Sequence, residues 1–235
     1  MKKWIKKYTT WKIGDYILQL SVVILGIIVT FAGGNLLEER AKAKELAKAM
    51  QIVKSELELN RQEVARIKDI LKLEKDVARY LLRYENRIAE ANADTLQMYL
   101  HTLFFSQLFT YTSDALEMLK ASSLVQQIHD KELVLQVVRA YSKLKSTDEI
   151  FKWYYSIKEK EGDFLNQNSV YVKRNKTFME EGNVYKIWKH RLENIHVHNI
   201  LRTAAYGGGF EENFQETQNA LTHAIEIIDK EYGLK

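Results

Sequence analysis

Side chains able to bind a metal or move a proton are few in this sequence, and their spacing limits what they can do. The histidines are His101, His129, His190, His196, His198 and His223. His196 and His198 lie two apart, so on a helix they point about 160° away from each other and cannot share a metal. In "RLENIH", Glu193 precedes His196 by three, the Glu-x-x-His spacing of di-iron bundles, but such a site needs the motif on two helices and one copy is present. There is no HExxH and no Gly-x-Ser-x-Gly, and no serine or carboxylate pair is set apart as a nucleophile or an acid–base couple. The absence of cysteine removes disulfides, thiolate metal sites and Cys nucleophiles. "YGGGF" has no strand before it and no Lys-Ser/Thr after it, so its glycines predict a turn between antiparallel helices and not a phosphate loop. The sequence therefore predicts no catalytic, cofactor-binding or metal-ligating residue, no cofactor, and no enzyme.

Binding chemistry is better represented. "FFSQLFTY" and "FKWYYSI" space aromatics as a helical core does, or as the lining of a pocket between helices. Trp153, Tyr154 and Tyr155 are consecutive, so they cannot all face one core. They form the candidate partner surface.

The elements that must position these residues read as helical throughout. In 235 residues there is no proline and only ten glycines. Proline breaks helix interiors and sheet ladders alike, so its absence among many Leu, Lys, Glu, Ala and Gln points to long uninterrupted helices. The formal charge of +4 comes from one end. Residues 1–37 hold Lys2, Lys3, Lys6, Lys7 and Lys12 against Asp15, which leaves 30 basic and 30 acidic side chains in 38–235. Nothing in that balance supports a nucleic-acid partner.

Tyr16 to Leu37 carries no charged side chain. About 20 helical residues cross a hydrocarbon core, and a signal-peptide core is usually shorter. The run predicts a transmembrane helix over 16–37, after a short basic cytoplasmic tail over 1–15. Two alternatives are a signal cleaved after Thr30-Phe31-Ala32 and a soluble core helix, the latter disfavoured because the run is apolar all round. Basic residues near the two ends number five each, Arg40, Lys42, Lys44, Lys48 and Lys54 forming the second set, so the positive-inside count is tied. The denser lysines and the belt of Trp4, Tyr8, Trp11 and Tyr16 favour a cytoplasmic N-terminus and a periplasmic 38–235. A tail this short has no room for an output domain, so signalling would need a partner protein. Gly26, Thr30 and Gly34 are spaced four apart, as in membrane helices that pack closely.

Residues 38–91 predict one long helix. Leu46, Met50, Val53, Leu57, Asn60, Val64, Ile67 and Leu71 form a heptad seam, which fades at Glu74 as a second stripe of Ile70, Leu73, Val77, Tyr80 and Tyr84 takes over. The seam fits a helix inside an intramolecular bundle or a parallel homo-oligomeric stalk over 46–71. Asn60 fits a register device in a stalk, a satisfied core amide in a bundle, or an outward position if the phase slips. Gly34 and Leu46 lie about 120° apart around a helix, so membrane face and seam are not continuous unless Gly33-Gly34 kinks. Further helices are expected at Asp94–Phe109, from Ser113 or Asp114, from Asp130, from Ser146, at Val184–Ala205 and at Glu211–Tyr232, with a loop over Gly162–Lys176.

"IGDYILQLSVVILGIIVTFAGGNLLEERAKAKE" resembles the N-terminal signature of an uncharacterised family of bacterial single-pass membrane proteins. Ile13, Gly14, Asp15, Asn35, Glu38, Glu39 and Arg40 match its pattern. "DALEMLKASSLVQQIHDKELVLQVVRAY" is similar to the family's second block at Leu119, Lys120, Ser122, Ile128, Lys131, Glu132 and Leu133. Departures are Gly33-Gly34, where the family is bulkier, and Ser123, where it often has Gly. The resemblance covers about 13–145. It implies a bacterial inner-membrane protein and carries over no activity.

The expectation is an all-α chain: a transmembrane helix that continues into a long helix packed in a multi-helix bundle. It is expected to act as an interaction or scaffold protein of the cell envelope, touching the lipid bilayer, a protein partner and copies of itself. The alternative is a sensory or ligand-binding domain signalling through its membrane helix. A buried polar pocket favours sensing, and a long exposed apolar stripe at Leu46–Leu71 favours assembly.

Overall fold

The computed structural model describes the backbone of residues 2–100, 102–104, 107–168, 183–207 and 209–233, and their side chains except at 2–20, 27–36 and 165–168. The described residues form an all-α multi-helix bundle without strands. The helices are α1 (Lys2–Arg83), α2 (Ala93–Met98), α3 (Asp114–Ala121), α4 (Lys131–Asn168), α5 (Val184–Leu192), α6 (Ile195–Tyr206) and α7 (Phe210–Tyr232), with 3-10 turns at Ile88–Glu90 and Ser123–Gln127. Two compact units divide inside α1: Met1–Met50, and Gln51–Lys235.

In the first unit, residues 21–26 and 37–45 are exposed, and Lys42 pairs with Glu38 at 2.6 Å. The helix is unbroken through Gly33-Gly34. Among the described residues no helix is long and apolar enough to cross a membrane. The expected 16–37 span falls largely on side chains outside the described residues, as do Thr30 and Gly34. At Gly26, a Cβ would meet open space.

The second unit is built on α1, α4 and α7. Lys54–Asp229, Lys68–Gln215 and Lys75–Glu211 pair α1 with α7 in antiparallel order. Tyr141 with Glu56 and Tyr154 with Glu74 pair α4 with α1 in parallel order. Between α4 and α7, the buried Thr147 hydroxyl meets Asn213 Oδ1 at 2.8 Å and Thr217 at 2.7 Å. The six seam residues of this unit, Val53, Leu57, Asn60, Val64, Ile67 and Leu71, are buried, none more than 7% exposed, and Leu46 and Met50 of the first unit are buried as well. The seam also runs further than its apolar pattern suggests, because Glu74, Ala78 and Leu81 are buried as well. Of the second stripe, Val77 is buried but Leu73 is exposed.

Asn60 is a satisfied core amide. Its Nδ2 donates to the Thr112 carbonyl at 2.8 Å, and its Oδ1 accepts from the Thr112 N–H at 3.0 Å. This contact helps to explain why the helix expected at Asp94–Phe109 stops at Met98. From Gln107 to Ser113 the chain is non-helical and lies along α1, held at Leu108 by Arg66 (2.9 Å), at Thr112 by Asn60, and at Ala115 by Glu56 (3.1 Å). Glu56 thus serves the start of α3, where Ser113 makes no side-chain cap.

Other boundaries also differ from expectation. α1 ends at Arg83 and not near Ala91, because the chain turns back to bury Ile88 and Ala91 with Val77, Leu81, Leu96 and Trp188. Ser146 starts no helix. α4 runs on to Asn168, past Gly162 where a loop was expected, since no proline interrupts it and Thr147 is tied to α7. Residues 169–176 of that loop lie outside the described residues. Conversely, Asn194 breaks the expected Val184–Ala205 helix, its Oδ1 accepting from His196 N at 2.9 Å as the cap of α6. Asp130 caps α4 as expected, accepting from Glu132 N and Leu133 N. Gly207 and Gly209 are required where they stand: a Cβ on Gly207 would sit 2.4 Å from the Thr203 carbonyl oxygen, and Gly209 has φ 92°.

Asn60→Leu removes both side-chain hydrogen bonds that the buried Asn60 makes to the Thr112 backbone, and should cost about 2 kcal/mol in urea unfolding of the full chain in detergent. Its mass in detergent should not change. A changed oligomer with unaltered stability would return Asn60 to the register role.

Candidate functional site

Glu74 occupies a seam position of α1 and is 1% exposed. A carboxylate there is costly unless its oxygens are satisfied. α4 satisfies it with three side chains from one face. Tyr154 donates to Oε2 at 2.7 Å, while Tyr155 (3.1 Å) and Lys158 Nζ (2.8 Å) both donate to Oε1. Lys158 is 6% exposed, and its ammonium lies 4.7 Å from the Tyr155 ring centre and 5.5 Å from that of Tyr154. Phe151 packs on Tyr155, and Phe109 and Phe214 pack on Phe151.

The electrostatics follow from burial. Desolvation, then the Glu74 carboxylate, push the Tyr154 and Tyr155 hydroxyls well above their usual range. Desolvation lowers the Lys158 ammonium, and the Glu74 charge opposes it. At neutral pH both tyrosines stay protonated and donate to Glu74. Glu74, Tyr154, Tyr155 and Lys158 thus form one hydrogen-bonded network between α1 and α4.

One edge of the network reaches a cleft. Tyr154 lines it together with Leu71, Lys75 and Arg79 of α1, the end of α6, Gly207, Gly209 and the start of α7, around a volume of about 390 Å³. Lys75 crosses to Glu211 at 2.8 Å. Arg79 and Glu212 line the same cleft, and neither makes an ion pair or side-chain hydrogen bond among the described residues.

The expected partner surface divides. Tyr154 and Tyr155 are buried in the Glu74 network, while Trp153 is 57% exposed and packs on Phe210 at the cleft. The seam residues Leu46, Met50, Val53, Leu57, Asn60, Val64, Ile67 and Leu71 are each buried. His196 pairs with Glu161 and not with Glu193, and stacks on Phe164 at 5.0 Å; Asn199 donates to the other Glu161 oxygen at 3.1 Å. His198 lies 3.5 Å from Glu85. Among the described residues no three metal-ligating side chains come together. Sequence reasoning missed Glu74, Lys158 and Arg79. The available signal was a charged residue on an apolar seam, matched by a lysine one turn beyond the paired tyrosines.

Alkaline pH should expose the network. Tyr141, Tyr154 and Tyr155 all have raised pKa values in the fold, against a usual value of 10.0. Their contribution is complete below pH of about 10 and is lost as pH rises further, since the unfolded chain then releases protons that the fold retains. Each should contribute a slope of about 1.4 kcal/mol per pH unit. Lys158 acts the other way only below its usual 10.5. The double variant Tyr154→Phe, Tyr155→Phe should therefore flatten the loss of unfolding free energy above pH of about 10.5; an unchanged slope would count against the network.

No family model matches the chain, and no curated protein or solved structure matches it.

Proposed function

We propose that this chain is a ligand-binding helical domain carried by one membrane helix of the bacterial inner membrane. In this reading residues 1–15 lie in the cytoplasm, 16–37 span the bilayer, and the rest is periplasmic. The observation that carries it is the cleft of about 390 Å³, whose wall of Leu71, Lys75 and Arg79 belongs to α1, the helix that also contains 16–37. A guest in the cleft touches that helix directly, and a partner protein at the membrane would read the change. The apolar run and the family resemblance support the membrane placement. The buried seam supports ligand binding over assembly through 46–71, because that stripe is not free to meet a second copy.

A scaffold reading retains one specific support. Trp153 and Tyr206 are exposed beside the cleft, and large exposed aromatics suit a protein partner.

The full chain in detergent should be stabilised by a low-molecular-weight extract of bacterial cells. A ligand at about ten times its Kd adds about 1.4 kcal/mol, or roughly 3 °C in Tm. Ala204→Trp, which fills the cleft, should abolish the rise; no rise, or an equal rise in that variant, would overturn the ligand reading. A reporter fused after Lys235 should be active in the periplasm, and cytoplasmic activity would reverse the orientation.

A further inference from the structure

The composition of the cleft lining restricts the chemistry of a guest. Its charges cancel: Lys75 and Arg79 stand against Glu211 and Glu212, so the lining offers no net charge of either sign. Lys75 and Glu211 are already paired at 2.8 Å. Arg79 and Glu212 are exposed and make no ion pair or side-chain hydrogen bond among the described residues, so a guanidinium can donate and a carboxylate can accept. The remaining side chains of the lining are apolar or aromatic. Two large rings are also offered to solvent at this place. Tyr206, on the lining, is 70% exposed. Trp153 packs on Phe210 with ring centres 6.1 Å apart and planes tilted by 34°, yet is 57% exposed. Phe210 packs in turn on Tyr154 at 5.0 Å, and Tyr154 is held by Glu74. The exposed Trp153 ring is therefore supported from behind by buried aromatics.

A charged guest gains little from a lining whose charges cancel, and a wholly apolar one makes no use of Arg79 and Glu212. A sugar ring suits both features. It is uncharged, its hydroxyls donate and accept alike, and its C–H face lies flat against an aromatic ring. We infer that this cleft binds a neutral oligosaccharide. Trp153 and Tyr206 are the platforms for its rings, and Arg79 and Glu212 are partners for its hydroxyls. No bond is made or broken. This inference rests on the ligand-binding reading of the cleft and narrows it to one chemical class.

The test is titration calorimetry of the full chain with maltohexaose, cellohexaose and chitohexaose. An amine-oxide detergent is used, so that no sugar headgroup competes. At least one oligosaccharide should bind. Its affinity should change by less than about twofold between about 50 and 500 mM salt, since neither partner offers net charge. Trp153→Ala should weaken binding on the order of tenfold, and Trp153→Phe should keep most of it. Trp153 is at the surface, and circular dichroism should show both variants folded. Bound sugar should also shift the tryptophan fluorescence to the blue, and Trp153→Phe should remove that shift. Failure of all three oligosaccharides to bind would overturn the inference. So would binding that Trp153→Ala leaves unchanged, or binding that falls steeply with salt. If the cell extract stabilises the chain in a manner lost in Ala204→Trp while no oligosaccharide binds, the ligand reading stands and the saccharide is wrong.

Discussion

A carboxylate placed on an apolar seam constrains everything that can pack against it. Glu74 cannot be buried by Leu, Val or Phe without stranding its charge, so the facing helix must bring donors at that level. α4 brings Tyr154, Tyr155 and Lys158, all within 3.1 Å of the carboxylate oxygens. Sliding α4 by one turn would leave both charges buried and unpaired. A buried ion pair is weak evidence for stability, since a well-packed apolar replacement is often as good. Its value here is as a register device, setting which residue of α4 meets which residue of α1.

The remaining contacts are consistent with that register. The Glu56–Tyr141 bond holds it towards the other end of the α1–α4 pair, and the α7 pairs at Lys54, Lys68 and Lys75 lie along another face of α1. The apolar seam supplies the driving force between these polar points, and Asn60 adds a third device by fastening the non-helical 107–113 segment. The cleft follows from the same arrangement. Tyr154 is pulled inward by Glu74, Trp153 is left outside, and Phe210 at the start of α7 lies 5.0 Å from Tyr154 between ring centres.

What the sequence made legible was local. The heptad seam, the Asp130 cap and the helix break at Gly207 and Gly209 are set by periodicity and short-range bonding, and all are present. Ser146 and Asn194 show where such signals mislead. A capping pattern fits Ser146, yet nothing there forces a break and packing against α7 carries the helix through. Asn194 is a polar residue within an apolar-periodic run, and its side chain takes over the next turn. Glu74 was legible only as the place where the seam faded. Its partners lie some 80 residues along the chain, and no local pattern connects them. The same holds for the cleft, whose lining comes from four helices.

The central claim is that Glu74 and Lys158 act as one unit that fixes α1 against α4. A double-mutant cycle with Glu74→Leu and Lys158→Met tests it most directly, with unfolding free energies of the full chain measured in urea. Lys158→Met should cost about 3–5 kcal/mol, because it leaves a buried carboxylate with only neutral donors, and the double variant should recover most of that loss. Strictly additive losses, with coupling below about 0.5 kcal/mol, would show that the two residues do not act together and would contradict the account.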